Sequence, residues 1–226
     1  MSEQIHLDSR DPHAGQKVYA AGPAPDQASA FVLLMHGRGS SPQDILSLYQ
    51  ALKLDSVLAA APQAAGSVWY PKSFLAPIEE NEPWLDSALR LMDRIIEQMM
   101  DDGFPSRKIA LLGFSQGACL VSEYAARHPR VYGGVMALTG GLIGPPLPPG
   151  TPRDYAGSLA GTPVFLGSSD PDPHVPFSRV QETRQVLEQM GAQVDLRRYP
   201  GMPHIVNEEE ISACRAILEK IGKEQE

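Results

Sequence analysis

Short apolar runs alternate with longer stretches of helical periodicity along most of the chain. Phe31–Met35 and Ile109–Leu112 are continuously apolar, which is typical of strands covered on both faces. Val194–Tyr199 alternates apolar and polar residues for part of its length, which favours a strand nearer the edge of a sheet. In all, seven runs predict strands: Lys17–Ala20, Phe31–Met35, Ser56–Ala61, Ile109–Leu112, Gly133–Leu138, Pro163–Leu166 and Val194–Tyr199.

Between these runs, apolar residues recur at steps of three and four, as on one face of a helix. The predicted helices are Asn81–Asp102, Ser178–Met190 and Glu208–Ile221, with a shorter apolar stripe from Ile45 to Leu52. We expect Asn81 to cap its helix and Pro83 to lie in the first turn. Such alternation predicts an α/β fold with a mostly parallel sheet of about seven strands, helices on both faces, and ligands at the carboxyl ends of the strands.

The composition predicts a single globular domain over residues 1–226, of which residues 1–16 form a less regular segment. The chain has 226 residues, a length at which one core still grows, since the usual limit is about 250. Two long irregular stretches, 62–83 and 140–161, each leave the carboxyl end of a predicted strand. Both are expected to overhang the ligand site, without a separate cap domain.

The charge balance restricts the classes of partner. With 27 acidic against 19 basic residues, the net charge is −8, which argues against nucleic-acid binding. No apolar stretch reaches the roughly 18 residues of a membrane span, and the first ten residues lack the pattern of a secretory signal. Cys119 and Cys214 both fall in predicted helices and indicate no disulfide framework. We therefore predict a cytoplasmic protein, and we leave a homodimer open.

The clearest chemical motif is Gly113-Phe-Ser-Gln-Gly117, which follows a predicted strand and precedes a predicted helix. This is G-x-S-x-G in its required context, a sharp turn that lifts Ser115 out of the backbone. Glycines at both ends remove the side chains that would collide where strand and helix cross. The helix N-terminus also directs backbone N–H groups at developing negative charge. The motif predicts that Ser115 is a nucleophile.

A serine nucleophile needs a histidine base and an acid that orients it, in the chain order serine, acid, histidine. His204 follows the last predicted strand and precedes the last helix, which places it beside Ser115. His174 lies in the loop of the acid and is expected to be a neighbour of the pocket. Asp170 and Asp172 both follow the strand Pro163–Leu166, and the spacing alone leaves the acid open between them.

The oxyanion hole of such a site uses the N–H after the nucleophile, here that of Gln116, and one from the loop after an early strand. That loop reads His36-Gly37-Arg38-Gly39. We expect the second N–H to come from Arg38, with Gly39 as the alternative. The chain contains no zinc motif and no nucleotide-binding glycine motif, so we predict neither a metal nor a cofactor.

Four motifs together resemble the phospholipase/carboxylesterase family of α/β-hydrolases, which includes acyl-protein thioesterases and small bacterial carboxylesterases. They are His36-Gly-x-Gly, Gly113-Phe-Ser-Gln-Gly117-Ala118, Asp172-Pro-x-Val-Pro176 and the late His204. The likeness runs from about Phe31 to Ile221. It implies an α/β-hydrolase fold, Asp172 as the acid of the triad, and the N–H of Arg38 as an oxyanion donor.

The chain departs from the thioesterase branch, which has Leu-Gly-Asp where this sequence reads Arg38-Gly39-Ser40. The segment from Trp69 to Phe74 is more similar to the bacterial carboxylesterase branch. The resemblance therefore implies hydrolysis of small to medium-chain acyl esters, with acyl thioesterase or lysophospholipase-type activity as the alternative and a non-catalytic ligand-binding protein as the rival from another class. From their positions in the two loops, the expected acyl-pocket residues are Trp69, Tyr70, Phe74, Leu142, Ile143 and Val175.

Overall fold

The seven predicted strands form one sheet. The computed structural model describes residues 11–148, 151 and 153–223. The strands are β1 Val18–Ala21, β2 Ala30–Met35, β3 Val57–Pro62, β4 Ile109–Phe114, β5 Gly134–Leu138, β6 Pro163–Asp170 and β7 Gln193–Pro200. Their order in the sheet is β1-β3-β2-β4-β5-β6-β7, and every neighbouring pair is parallel except β1 with β3. This is the mostly parallel sheet that the alternation predicted.

Among the described residues, five α-helices cover the two faces of the sheet. They are α1 Pro42–Leu52, α2 Trp84–Asp101, α3 Gln116–Arg127, α4 Phe177–Gln189 and α5 Glu208–Lys223. Helices α1 and α5 pack on one face, and α2, α3 and α4 on the other. The run that forms β2 is continuously apolar because both faces of the strand are buried. Phe31 and Leu33 point into one core, and Val32 and Leu34 point into the other. In the described part of the chain, no helix has both the length and the apolar character needed to span a membrane.

Helix α2 begins later than predicted, at Trp84. Pro83 occupies the N-cap position, and Asn81 does not cap the helix through its side chain. Its amide instead accepts a hydrogen bond from the N–H of Lys72 at 2.8 Å and donates one to the carbonyl of Ser73 at 3.0 Å. The side chain of Asn81 therefore holds the 62–83 loop rather than the helix end.

Strand β6 extends to Asp170, four residues beyond the apolar run that predicted it. The added segment is polar in sequence, yet Ser168 and Ser169 are fully buried. It pairs in parallel with the end of β7, where Ser169 lies opposite Tyr199. The longer pair brings the loops that follow β6 and β7 side by side.

The predicted irregular segment 1–16 lies partly outside the described residues, but its end is firmly anchored. His13 is fully buried and its Nδ1 accepts a hydrogen bond from the N–H of Ala65 at 3.1 Å. Its Nε2 therefore carries the proton donated to the carbonyl of Trp69 at 2.9 Å. Burial lowers the pKa of His13 and favours this neutral form. The segment has no helix or strand from residue 11 to 16, but it supports the loop beside the site.

Candidate active site

Ser115 stands at the sharp turn between β4 and α3, with φ 54° and ψ −117°. A Cβ on Gly113 would lie 2.3 Å from the backbone of Gly117, and a Cβ on Gly117 would lie 1.9 Å from the carbonyl oxygen of Met35. Neither position tolerates a side chain, because these contacts are with backbone atoms. The N–H of Ser115 donates to the carbonyl of Leu138 at 3.0 Å. The turn is thus fixed from both neighbouring strands, and the positive φ of a non-glycine residue is retained by its surroundings.

His204 lies in the loop between β7 and α5 and reaches back to the turn. Its Nε2 is 2.8 Å from the Oγ of Ser115, and its Nδ1 is 2.7 Å from Oδ2 of Asp172. The ring packs against Phe114, with 5.0 Å between ring centroids, and against His174 at 5.1 Å. These contacts fix the ring plane, so both nitrogens face their partners at once.

Asp172 is the aspartate that meets His204, and its side chain is fully buried. Its other oxygen, Oδ1, accepts hydrogen bonds from the N–H groups of His174 and Val175, each at 2.8 Å. Burial by itself would raise the pKa of Asp172, but the hydrogen bonds from His204 and the two amides outweigh it and hold the pKa below its usual value. Asp170, the open alternative, forms an ion pair with Arg198 instead.

The hydrogen bond between Asp172 and His204 determines which ring nitrogen of His204 carries the proton. Because Asp172 is ionised and accepts at Oδ2, the neutral imidazole of His204 carries its proton on Nδ1. Its Nε2 is then free to accept the proton of the Ser115 hydroxyl. The three side chains can therefore transfer a proton away from Ser115 and stabilise the resulting imidazolium.

The hydrogen bonds of the loop after β2 distinguish between the two candidate N–H groups for the oxyanion hole, those of Arg38 and Gly39. The N–H of Gly39 donates to the carbonyl of Ser67 at 2.7 Å and is occupied. Within the described residues, the N–H groups of Arg38 and Gln116 have no backbone partner of this kind. Both belong to residues that line the cavity at Ser115. The placement thus favours Arg38 and Gln116 over Gly39 as the donors.

The side chains of Arg38 and Gln116 have a second role that the sequence did not indicate. The Arg38 guanidinium donates to the carbonyls of Tyr70, Pro71 and Lys72 at 2.6–3.0 Å. The Gln116 amide accepts from the N–H of Trp69 at 3.0 Å and donates to the carbonyl of Tyr70 at 2.8 Å. The two residues that offer N–H groups to the site thus also hold the 62–83 loop over it.

The cavity at Ser115 has a volume of about 570 Å³, within the range of small-molecule sites. Three of the predicted pocket residues, Tyr70, Phe74 and Val175, line it. Cys119 also lines it, one helical turn after Ser115, and burial raises the pKa of its thiol to about 11. The thiol is therefore neutral and does not compete with Ser115 as a nucleophile.

Three residues predicted to line the pocket are absent from the cavity walls found in the described part of the chain, namely Trp69, Leu142 and Ile143. Trp69 is fully buried and donates from Nε1 to the carbonyl of His36 at 2.8 Å. Leu142 and Ile143 are also fully buried, and their backbone N–H groups donate to Thr183 and Glu123. We therefore reassign these three residues from the pocket to the support of the two loops.

The 140–161 stretch is held by buried charges that the sequence pattern did not reveal. Arg179 is 3% exposed and donates to the carbonyls of Leu142 and Gly144 at 2.7 and 2.8 Å. Glu182 bridges Arg179 and Arg153 at 2.8 and 2.7 Å. The N–H of Gly144 also donates to the carbonyl of Phe74 at 2.7 Å. The two long loops are thus joined directly to each other.

Glu210, close to the His204 loop, gives a pH-dependent prediction. Its Oε2 accepts from the N–H of Asn207, while the Asn207 side chain accepts from the N–H of Glu210, each at 2.9 Å, a capping box at the start of α5. Glu210 is fully buried, and in the described residues its Oε1 has no hydrogen-bond partner. Burial raises the pKa of Glu210 to about 7.

Between pH 5 and 8, the folded chain must therefore lose a proton that the unfolded chain has already lost at lower pH. This costs the wild-type protein roughly 2–3 kcal/mol of unfolding free energy as the pH rises. Glu210→Gln keeps the capping geometry and removes the titration. We expect urea unfolding at pH 5 and 8 to show this loss in the wild type and not in the variant. Equal losses in both proteins would contradict the prediction.

Comparison with known proteins identifies the group to which this site belongs. Residues 20–221, most of the chain, match the phospholipase/carboxylesterase family. The chain is a member of that family. The expected α/β-hydrolase fold and the resemblance drawn from the four motifs are thereby confirmed.

Individual members of the phospholipase/carboxylesterase family are similar over most of their length. A phospholipase/carboxylesterase of Dyadobacter fermentans with a solved structure is 44% identical, with a TM-score of 0.84, over 92% of this chain and 97% of that one. An acyl-protein thioesterase 1 of Debaryomyces hansenii is 26% identical over 87% of this chain and 93% of its own. A probable carboxylesterase of Oryza sativa subsp. japonica is 26% identical over 90% and 85%. The family is thus one of carboxylesterases and acyl-protein thioesterases.

Proposed function

We propose that the chain is a serine carboxylesterase that hydrolyses small to medium-chain acyl esters through an acyl-enzyme on Ser115. The observation that carries this proposal is the continuous set of hydrogen bonds from Ser115 Oγ through His204 to Asp172 at the wall of a cavity of about 570 Å³. Family membership supports the reaction class, and the geometry supports the assignment of roles.

In the acylation step, Ser115 Oγ forms a bond to the ester carbonyl carbon while its proton moves to His204 Nε2. The negative charge on the carbonyl oxygen is received by the N–H groups of Arg38 and Gln116. Collapse of this intermediate breaks the bond to the alcohol oxygen, which takes the proton from His204. Asp172 stays ionised and stabilises the imidazolium throughout.

In the deacylation step, His204 Nε2 accepts a proton from water, and the water oxygen bonds to the acyl carbon. The bond to Ser115 Oγ then breaks and the proton returns to Ser115. The products are a carboxylic acid and the free serine. The two loops over the cavity are hydrogen-bonded to each other between Gly144 and Phe74. The cavity would therefore present the same walls to the substrate in both steps.

Thioester hydrolysis is the second candidate, because the same oxyanion chemistry cleaves both bonds and a relative is an acyl-protein thioesterase. The charges around the cavity favour the ester. The Arg38 guanidinium is bonded to three carbonyls, and Arg153 is paired with Glu182. Arg38 and Lys72 are both exposed at the cavity, but within the described residues only Lys72 of the two has neither an ion pair nor a hydrogen bond from its side chain. One lysine offers little to the phosphates of coenzyme A.

The test is a comparison of kcat/KM for p-nitrophenyl butyrate and butyryl-CoA with the same wild-type preparation. We expect continuous turnover of the ester and a kcat/KM at least about tenfold above that of the thioester. A higher value for butyryl-CoA would make the chain a thioesterase. Release of a single equivalent of p-nitrophenol with no further turnover would indicate a ligand-binding protein instead.

A further inference from the structure

A second cavity adjoins the catalytic one on the opposite side of the oxyanion loop. It has a volume of about 390 Å³ and lies between α1 and the start of α5. Gly37, Ser40 and Phe114 line both cavities, so the two adjoin next to Ser115, which itself lines the first. The second cavity is also lined by residues of α1 and by the segment after the catalytic histidine, namely Ile45, Ser47, Leu48, Ala51, Val206 and Ile211.

The walls of this second cavity are mostly apolar and incompletely covered. Leu48, Phe114 and Val206 are half-buried. Ile205, which lies between His204 and Val206 in the chain, is 50% exposed. The volume of the second cavity falls within the roughly 300–1,000 Å³ of small-molecule sites. A large apolar surface left open directly beside the reacting groups indicates contact with part of the substrate.

The direction of proton transfer indicates which part. When the tetrahedral intermediate collapses, the alcohol oxygen must lie within hydrogen-bond reach of His204 Nε2, because that nitrogen returns the proton. The alcohol group therefore leaves on the His204 side of Ser115. Phe114, which packs on the His204 ring at 5.0 Å, and Val206, two residues further on, both line the second cavity. Tyr70 and Phe74 line only the first cavity and are left for the acyl chain.

We propose that the cavity between α1 and α5 binds the alcohol group of the ester substrate, and that this group is apolar and carries no negative charge. The proposal rests on the proposed esterase function and specifies its substrate class. It makes the chain selective for the alcohol as well as for the acyl group, with a separate cavity for each.

The charges near the second cavity argue against an anionic alcohol. Asp44 lines it, and its carboxylate accepts hydrogen bonds from the hydroxyls of Ser40 and Ser41 at 2.8 and 2.9 Å. These hydrogen bonds lower the pKa of Asp44, so it is ionised at neutral pH. Glu208 and Glu209 follow Val206 by two and three residues and are exposed. The described wall residues include no Lys or Arg, so an anionic alcohol would meet only like charge.

The first experiment is a series of butanoate esters with unbranched alcohols from methyl to hexyl. We measure kcat/KM, because it reports acylation, the step in which the alcohol is still bound. In an open groove each methylene is expected to contribute about half of its full transfer free energy, or about twofold. The wild-type hexyl ester should therefore exceed the methyl ester by roughly 30-fold. Hydrolysis of the methyl ester with no rise along the series would overturn the alcohol site but not the esterase function.

The variant Ser47→Trp fills the second cavity from an exposed position on α1. We expect it to lower the hexyl-to-methyl ratio to below about threefold. Gln50→Trp is the matched control, since Gln50 is exposed on the same helix and does not line the cavity, and it should keep the ratio near 30. Because the ratio compares two substrates of one enzyme, partial loss of folded protein does not change it. Equal ratios in the two variants would overturn the proposal.

A matched acyl series, from methyl acetate to methyl octanoate, tests whether the cavity holds the acyl chain instead. Ser47→Trp should leave the chain-length preference of this series as in Gln50→Trp. A changed acyl preference with an unchanged alcohol preference would overturn the assignment. The charge is tested with the butanoate ester of 6-hydroxyhexanoate, which should react about fivefold more slowly than the hexyl ester. Asp44→Asn should reduce that difference, and an unchanged difference would contradict the role of Asp44.

If the wild-type protein hydrolyses none of these esters, the proposed function fails and the alcohol site fails with it. If it hydrolyses the methyl ester, the function stands and the alcohol series decides this proposal by itself.

Discussion

Ser115→Ala is expected to lower kcat for p-nitrophenyl butyrate by about 10⁶, the loss typical of a serine hydrolase without its nucleophile. The substitution removes the Oγ that lies 2.8 Å from His204 Nε2, and with it the covalent step. It removes the hydroxyl of one half-buried residue and leaves the glycines of the turn in place, so the fold should persist. The measurement is steady-state hydrolysis under saturating substrate, with unfolding followed in parallel.

Ser122→Ala is the matched control for this prediction. Ser122 lies on the same helix, α3, and its hydroxyl donates to the carbonyl of Ala118 of that helix at 2.9 Å. The control should retain kcat within about twofold, since alanine is well suited to a helix interior. Comparable activity of Ser115→Ala and Ser122→Ala would show that another residue is the nucleophile.

Asp172→Asn is expected to lower kcat by about 10⁴ while the geometry of the site remains. Oδ1 of Asp172 is held by the N–H groups of His174 and Val175, and the asparagine oxygen would keep these two hydrogen bonds. Its amide nitrogen would then face His204 Nδ1, which must become the acceptor. The proton of His204 would move to Nε2, and that nitrogen could no longer accept the proton of Ser115.

Asp170→Asn tests the assignment of the acid two residues away. Asp170 forms an ion pair with Arg198 at the end of β6 and has no contact with His204 in the described structure. A surface ion pair of this kind contributes little, so kcat should change by less than about threefold. If Asp170→Asn caused the larger loss of the two, the acid would have been assigned to the wrong residue.

The parts of the fold and site that sequence reasoning predicted are those set by local rules. The apolar runs predicted the five central strands, because a residue buried between two helical layers has few polar options, whereas the edge strands β1 and β7 are half exposed. The turn at Ser115 was predictable because Gly113 and Gly117 have no alternative, as the 1.9–2.3 Å contacts of an added Cβ demonstrate. The order of serine, acid and histidine then followed from where successive loops meet at the edge of a parallel sheet.

The contacts that sequence reasoning missed join segments that are far apart in the chain. Trp69 is apolar and lies in the right loop, but whether it faces the cavity or the core depends on His13 and His36, which pack against its ring. Burial lowers the pKa of both histidines and favours their neutral forms. Asn81 was expected at a helix end and instead holds a loop nine residues back. No local pattern reports such pairings.

The residues that hold the 140–161 loop are likewise set by contacts that no local pattern reports. Arg179 falls on the predicted helix Ser178–Met190, where its charge suggests a solvated position, yet it is 3% exposed. Its burial is stabilised by two carbonyls of the 140–161 loop and by Glu182, which lies three residues along the same helix. The signal that could have found it is the density of charge beside a long Pro-rich loop that must be held in place.

Catalysis through an ester bond to Ser115 should be visible in the mass of the protein during turnover. Wild-type chain mixed with excess p-nitrophenyl butyrate and quenched in acid within the first turnovers should carry one butanoyl group, located on the peptide that contains Ser115. The same treatment of Ser115→Ala should leave the protein unmodified. A wild-type protein that turns over the ester with no adduct on Ser115, or an adduct of equal amount in Ser115→Ala, would contradict the account.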